Sequence, residues 1–340
     1  MKTTRLPTIS IVIPTYNEEK NIGNCLKNIF RQNYPKDKLE IFVVDNYSKD
    51  KTVEIARQFA VKIIYNKAKY YTPAEHSKML AFRKAKGELF IYIDADVEFV
   101  GHQWLIKMVK PLLEDPEIIG SFTHNFQKPG DSPLNRYLTH HLTQCDPVYE
   151  FFSVSIPSTV IEERKGYRVC FFKPGKIPPE GMCLYWREKL LRTEVTKMDR
   201  FMELDILEIL AKAGYQKFAW VPSAGIYHSH AKTLKQLFRK RIRNVERSYL
   251  PDYANRHFTW FDFRSKRGIL KILVWVLYAH LIFPSILRGI YKTFKYKDAY
   301  CLIYEPILTV VLTDVLIYGF LKDPKGRKLI FEMVKRLLVN

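Results

Sequence analysis

The stretch Leu89-Phe90-Ile91-Tyr92-Ile93-Asp94-Ala95-Asp96 sets the architecture of this chain. Its apolar run, rich in aromatic and β-branched residues, predicts a buried strand. Two carboxylates leaving the end of such a strand fall where open α/β sheets bind ligands. Together they can hold a hard divalent cation through oxygen, and the cation can hold a diphosphate. Acids also cap strand-to-helix turns for purely structural reasons, so the pair gains meaning only from its neighbours.

Working outward, Ile9-Ser10-Ile11-Val12-Ile13 predicts a strand closed by Pro14, and Ile41-Phe42-Val43-Val44 a second closed by Asp45. Val61 to Ile64 predicts a third. Between them, Glu19 to Arg31 carries Ile22, Leu26, Ile29 and Phe30 at helical spacing, and Pro73 to Lys86 leads as a helix into the strand before Asp94. Strands alternating with helices of this length imply a mostly parallel sheet with right-handed crossovers. Three of its strand ends deliver polar residues to one rim: Pro14-Thr-Tyr-Asn-Glu18, Val44-Asp-Asn-Tyr-Ser-Lys-Asp50 and Asp94 with Asp96. A base, a ribose and a diphosphate need such a set. The chain has no G-x-G-x-x-G and no G-K-[ST], which argues against dinucleotide binding and P-loop chemistry.

Further on, helices are expected at 102–114, 132–144 and Met202 to Ala213, the last stopped by Gly214. Lys173 to Gly181 is a loop by its Pro and Gly content. Lys232 to Arg247 interleaves Lys235, Arg239, Lys240, Arg241 and Arg243 with Leu234, Leu237, Phe238, Ile242 and Val245, a basic amphipathic helix. Two strongly apolar stretches follow, Ile272 to Leu287 and Tyr300 to Leu321. With 340 residues and 47% hydrophobic content the chain can bury one large core or two smaller ones. Its net charge of +20 calls for a polyanionic partner: nucleic acid, an anionic membrane or a phosphorylated ligand. The segment after Met1 lacks the apolar run of a signal peptide, so a cytoplasmic catalytic part is expected. Cys25, Cys145, Cys170, Cys183 and Cys301 form no C-x-x-C pair, which indicates neither a zinc site nor a disulfide framework.

Pro14-Thr-Tyr-Asn-Glu18, Val44-Asp-Asn-x-Ser-x-Asp50, Ala85-Lys-Gly-Glu88 and Ile93-Asp-Ala-Asp96 together resemble the glycosyltransferase family 2 pattern. Met202-Glu-Leu-Asp205, Lys212-Ala-Gly-Tyr215, Val221-Pro222 and Tyr227-His-Ser-His230 resemble its acceptor half. The resemblance implies an α/β GT-A fold, a nucleotide-sugar donor, a divalent metal (Mn²⁺ or Mg²⁺) and inversion at the anomeric carbon. It implies that Pro14, Tyr16 and Glu18 line base and ribose, that Asp45 accepts from the base, and that Asp94 holds the ribose. Ala95 joins that nucleotide set, and Asp96 binds the metal, with Glu98 and His230 as further candidate ligands. Alternation along a strand would put His228 and His230 on one face. The family's general base sits in a Glu-Asp-x-Asp pattern; here Met202 replaces the first Glu and Glu203 stands at the base position. Glu203 is the preferred base for the acceptor hydroxyl, with Asp205 the alternative, since the two point to different helix faces. Arg239 to Asn244 occupies the place of the Q-x-x-R-W run of processive members. Arg243 remains as a cation for the leaving nucleoside diphosphate, but Asn244 replaces the Trp, which favours transfer of single sugars.

The expected organisation is a catalytic domain over 1–230, a basic helix and linker over 231–265, and membrane-associated helices over 266–340. Lys and Arg flank both apolar stretches on every side, which fits helices lying on or dipping into the cytoplasmic leaflet better than a two-span hairpin. That placement suggests a lipid-linked acceptor such as a polyprenyl phosphate or a lipid-linked oligosaccharide, with no nucleic acid as partner. Two other readings remain at this point: a nucleic-acid or anionic-surface binder using the basic helix, and a sugar-nucleotide sensor without turnover.

Overall fold

The computed structural model describes residues 5–67, 73–140, 146–179, 182–251 and 253–338. Cys145, the end of the helix expected at 132–144, and positions 180–181 of the Pro/Gly loop lie outside them. The chain opens with β1 (Ile9–Thr15), α1 (Ile22–Phe30), β2 (Leu39–Asp45), α2 (Thr52–Ala56), β3 (Lys62–Tyr65), α3 (Pro73–Lys84) and β4 (Leu89–Tyr92). It continues through β5 (Val97–Phe99), α4 (Trp104–Glu114), β6 (Ile118–Asn125), α5 (Pro133–Leu138) and α6 (Pro147–Phe152). Next come β7 (Val160–Arg164), β8 (Tyr167–Phe171), β9 (Cys183–Trp186), α7 (Arg187–Leu191), α8 (Glu203–Lys212) and β10 (Lys217–His228). Helices α9 (Leu234–Asn244), α10 (Lys266–His280), α11 (Phe283–Tyr296), α12 (Tyr300–Lys322) and α13 (Pro324–Leu338) complete it.

The chain divides into two compact units, one of residues 1–126 and 155–229, the other of 127–154 and 230–340. The sequence implies a continuous catalytic domain over 1–230, whereas residues 127–154 cluster with the C-terminal helices. The reason is packing: Leu134, Tyr137, Leu138, Val148 and Phe152 share one core with Leu237, Trp275, Leu308 and Leu312.

The first unit is one mixed sheet in the order β3-β2-β1-β4-β9-β6-β10-β8-β7, with β5 on β10. Strands β3, β2, β1 and β4 are parallel neighbours. The chain winds outward from β1 through β2 to β3 and then returns to β4 on the other side of β1, so the strand order reverses at β1. Such a switch point leaves a crevice beyond the carboxyl ends of the flanking strands. The apolar residues of β1 and β4, Ile9, Ile11, Ile13, Leu89 and Ile91, are fully buried between helices and sheet. Pro14 does not end β1, as the sequence suggested; the strand runs on to Thr15. Pairing with β4 stops at Val12↔Tyr92 while pairing with β2 continues to Thr15↔Asp45. Val12 and, two residues on, Pro14 turn their backbone groups toward β4, so the missing N–H falls where no ladder bond is required. Gly87, before β4, cannot be replaced by a residue with a side chain without a clash, because a Cβ there would lie 2.5 Å from the Ser10 nitrogen.

The helical unit is held by buried ion pairs inside an apolar core. Glu305 of α12 is fully buried, bonded by Lys292 Nζ at 2.6 Å and the Tyr137 hydroxyl at 2.5 Å, with Arg288 Nε at 3.3 Å. Glu150 takes a second contact from Lys292 at 2.9 Å. Two of the cations expected at a membrane surface are therefore spent inside the protein, since a buried carboxylate is costly without a partner. Arg241 is likewise buried, bonded to Asp146 and, at 2.6 Å, to the Tyr149 hydroxyl. The apolar stretch expected over 272–287 is two helices, α10 and α11, bent by 79° around Leu281-Ile282. Among the described residues, α12 is the one helix long and apolar enough by itself to cross a membrane, the bent α10–α11 pair reaching that length only together; α12 is partly buried within this unit.

Candidate active site

Beyond β1 and β2 the chain forms two loops that fix each other. Asp45 ends β2 fully buried, and its carboxylate accepts from the Ser48 N–H at 2.8 Å, the Ser48 hydroxyl at 2.6 Å and the Thr15 hydroxyl at 3.1 Å. The Ser48 hydroxyl in turn accepts from the Asn17 N–H at 2.9 Å, and Asn17 Oδ1 accepts from the Lys49 N–H at 2.9 Å. Thr52 Oγ1 accepts from the Glu18 N–H at 2.7 Å. Asn17 and Tyr47 both take left-handed backbone angles, φ 56° and 57°. Asn tolerates that region, whereas an aromatic residue held there stores strain that the loop-to-loop bonds must offset. The strain leaves Tyr16 and Tyr47 about half exposed at the rim, with Tyr47 against Tyr65 at 5.6 Å between ring centres. The structure thus places Asp45 as the brace of this loop pair, its carboxylate bonded to Ser48 and Thr15 within the protein. Because the carboxylate is fully buried, direct contact with a base would require the loops to move. Pro14 is half-buried at the loop's root.

Beyond β4, Asp94 is half-buried, Ala95 is buried in the core and Asp96 is exposed. Asp94, Asp96 and His228 form a group whose ligand atoms all lie within 4.8 Å of one another. His228 Nε2 is 3.7 Å from Asp96 Oδ1. Histidine 228 is the last residue of β10, delivered there because β10 pairs antiparallel with β5 in the register His228↔Val97. The resemblance offers His230 as the candidate ligand, whereas the strand end places His228 beside Asp96. His230 lies past the end of β10 in the helical unit, where its N–H is bound by Asn135 Oδ1 at 2.9 Å. Glu98 lies on β5 opposite Tyr227 and does not join the three-residue group. The strand end of β10, where antiparallel pairing with β5 stops, is the signal that would have selected His228.

Two carboxylates and an imidazole are a donor set that suits Mn²⁺ or a similar divalent ion. The surrounding charge agrees. Burial raises the Glu18 pKa above its ordinary value, and Asp96, Asp94 and Asp50 raise it further against the lowering bond from Asn21. The buried Cys25 thiol, 4.0 Å from the Asp94 carbonyl, is pushed up by burial and by Asp96, Asp94 and Glu18. A concentration of negative potential this dense favours a bound cation. The described cysteines Cys25, Cys170, Cys183 and Cys301 are buried free thiols.

The candidate bases sit at the start of α8. Phe201, just before the helix, packs against Phe90 at 5.3 Å and Tyr92 at 6.0 Å between ring centres, and its N–H bonds the Glu75 carbonyl. These contacts tie the α8 N-terminus to the end of β4, and hence to Asp94. Glu203 is half-buried in the first turn, while Asp205 is buried with 2% exposure. Both carboxylates gain from the helix N-terminus. Sequence reading passed over Lys78 of α3, a buried cation whose Nζ lies 3.7 Å from the Tyr92 ring centre. Arg243, on α9 of the other unit, is exposed, unlike its buried neighbour Arg241.

A mixed α/β sheet with acids gathered at the β1/β4 switch point defines a nucleotide-sugar type of GT-A fold. Residues 10–177 match the model of glycosyl transferase family 2, and through that domain the chain belongs to this family. Among curated relatives, a Methanococcus voltae protein is 41% identical over 91 residues. It is named dolichyl N-acetyl-alpha-D-glucosaminyl phosphate 3-beta-D-2,3-diacetamido-2,3-dideoxy-beta-D-glucuronosyltransferase, and the match covers 26% of this chain and 28% of that protein. Glycosyltransferase AglE of Haloferax volcanii is 37% identical over 115 residues, 32% of this chain and 37% of its own length. The chain thus matches only about a third of these relatives. A mannosyltransferase of Pyrobaculum calidifontis, solved with GDP-Man and Mn²⁺, shares the fold: TM-score 0.50, 19% identity, covering 98% of this chain and 81% of that one.

Proposed function

We propose that this protein transfers one sugar, with inversion, from a nucleotide-sugar to a lipid-linked acceptor at the cytoplasmic face of a membrane. The observation that carries the proposal is the convergence of Asp94, Asp96 and His228 at the crevice where the strand order reverses. A divalent cation held by these three side chains would supply positive charge against a diphosphate. Tyr16, Tyr47 and Glu18 line the neighbouring rim, where a base and ribose would lie. Glu203 takes the proton of the acceptor hydroxyl as its oxygen bonds to the anomeric carbon, and the bond to the diphosphate breaks with its electron pair leaving on the nucleoside diphosphate. Asp205, being buried, serves as a support of the helix end.

The lipid-linked acceptor is supported by two observations. The Methanococcus voltae relative is named for a dolichyl phosphate substrate. Helices α10 and α11 also expose Leu277, Leu281, Phe283, Leu287 and Phe294, a larger apolar surface than a water-facing protein commonly shows. With Lys266, Arg267, Lys271 and Lys295 on the same helices, that surface suits the boundary of an anionic leaflet. The test is a screen of UDP-, GDP- and dTDP-sugars with purified protein, UDP first, with acceptors either soluble or polyprenyl-linked. The expected result is a product of inverted anomeric configuration formed faster on the lipid-linked acceptor. Retention of configuration, or equal rates on both acceptors, would overturn the corresponding half of the proposal.

A further inference from the structure

Within the helical unit, α10, α12 and α13, together with α6 and residues 261–263, surround an open-mouthed apolar cavity of about 280 Å³. Phe152, Phe261, Trp275, Leu316, Phe320 and Met333 supply much of its wall. Thr313 brings the one hydroxyl among the lining residues, and that hydroxyl is spent: it accepts from Trp275 Nε1 at 2.9 Å and donates to the Thr309 carbonyl at 2.6 Å. A wall that offers water no hydrogen bond stays dry and takes apolar ligands. A dry cavity of about 150 Å³ accepts one benzene, so this one has room for roughly ten carbons.

The mouth is apolar as well. Leu273 and Leu321 line the cavity and are 41% and 47% exposed. Beside it stands Lys271, whose Nζ lies 5.2 Å from the Phe152 ring centre and donates to the Phe152 carbonyl at 3.2 Å. Arg267 precedes it by one helical turn. Neither cation has a carboxylate partner among the described residues, and like charges at this spacing repel. Burial and Arg267 both hold the Lys271 pKa below the ordinary lysine value, a cost that an anion would relieve.

We propose that this cavity seats the first isoprene units of the polyprenyl anchor of the lipid-linked acceptor, with the anchor's phosphate on Lys271 and Arg267. The proposal deepens the lipid-linked acceptor reading above and rests on it. A hydrocarbon chain could come from a phospholipid too, but a phospholipid carries two chains behind one phosphate. A cavity with room for roughly ten carbons of one chain leaves the second outside.

Calorimetric titration of the full chain in detergent micelles with geranylgeranyl phosphate tests this. Inorganic phosphate and phosphatidylglycerol serve as separate competitors. Leu316→Trp fills the cavity, and Lys271→Glu reverses the cation beside its mouth. The expected result is saturable binding, weakened about tenfold or more by either variant and resistant to both competitors. Undiminished binding to Leu316→Trp that retains the wild-type melting temperature would overturn the proposal. So would undiminished binding to Lys271→Glu, or displacement by phosphatidylglycerol carbon for carbon. Donor hydrolysis measured in parallel keeps the two claims apart: hydrolysis without probe binding sinks only the cavity, and probe binding without hydrolysis sinks only the catalytic reading.

Discussion

Replacing Asp45 by Ala should unlock both donor-side loops at once. The carboxylate is fully buried and accepts three hydrogen bonds, from the Ser48 N–H, the Ser48 hydroxyl and the Thr15 hydroxyl. Bonds to a charged acceptor are worth about 1.5–3 kcal/mol each, and donors stranded away from water cost more than the bond itself. Ser48 is half-buried and can rehydrate in part, so the three do not add fully; a loss of about 3 kcal/mol is expected. Ser48→Ala removes one donor to Asp45 and the acceptor for the Asn17 N–H, and should cost about 1–2 kcal/mol. Denaturant unfolding measures both as a shift in midpoint at unchanged slope. Because Tyr47 holds its strained backbone only through these bonds, donor affinity should fall in the same order, Asp45→Ala below Ser48→Ala below wild type. An Asp45→Ala protein within about 1 kcal/mol of wild type, or one that binds donor as well, would refute the brace.

Glu18 has a folded pKa raised by burial and by its acidic neighbours from an ordinary value of 4.5. Its favourable contribution is therefore present below the unfolded pKa and lost as pH rises through the folded one. Glu18→Gln should raise the metal-free unfolding midpoint at pH 7 and leave it unchanged at pH 4; equal shifts at both would count against the acid cluster. Phe283, 66% exposed at the α10–α11 bend, should insert into lipid, so Phe283→Glu is expected to weaken sedimentation with anionic vesicles by about tenfold or more. Vesicle binding indifferent to that change would move the membrane face elsewhere. Ile282 takes φ 58° and ψ −51°, a strained γ-turn closed by the Phe283 N–H on the Leu281 carbonyl, which costs a β-branched residue about 1–3 kcal/mol. Ile282→Gly should hold or raise the melting temperature, and a clear fall would show that packing of the side chain outweighs the strain.

Much of the first unit was legible because its signals are local. Short apolar runs ending in Pro14, Asp45 and Asp94 were sufficient to locate β1, β2 and β4 and the rim beyond them. What the sequence could not carry is partnership across the chain. Nothing within 127–154 announces that Tyr137 and Phe152 pack on α12 and α10 rather than on the sheet. Glu305 is an acid inside an otherwise apolar stretch, and its neutralisation by Lys292 and Arg288 in the core is visible only in the fold. Alternation gives His228 and His230 the same face and cannot choose between them, and the pairing of β5 with β10 is what fixes His228 beside Asp96. The candidate base segment at the start of α8 is marked by its motif, but only the folded structure separates half-buried Glu203 from buried Asp205.

The most direct test of the central claim is release of nucleoside diphosphate from a donor sugar, titrated with Mn²⁺, for wild type, Asp96→Ala, His228→Ala and His230→Ala. The account predicts metal-dependent release that Asp96→Ala abolishes, that His228→Ala shifts to higher metal concentration, and that His230→Ala leaves at the same metal requirement. Release that ignores metal, or that survives Asp96→Ala with an unchanged metal dependence, would contradict it.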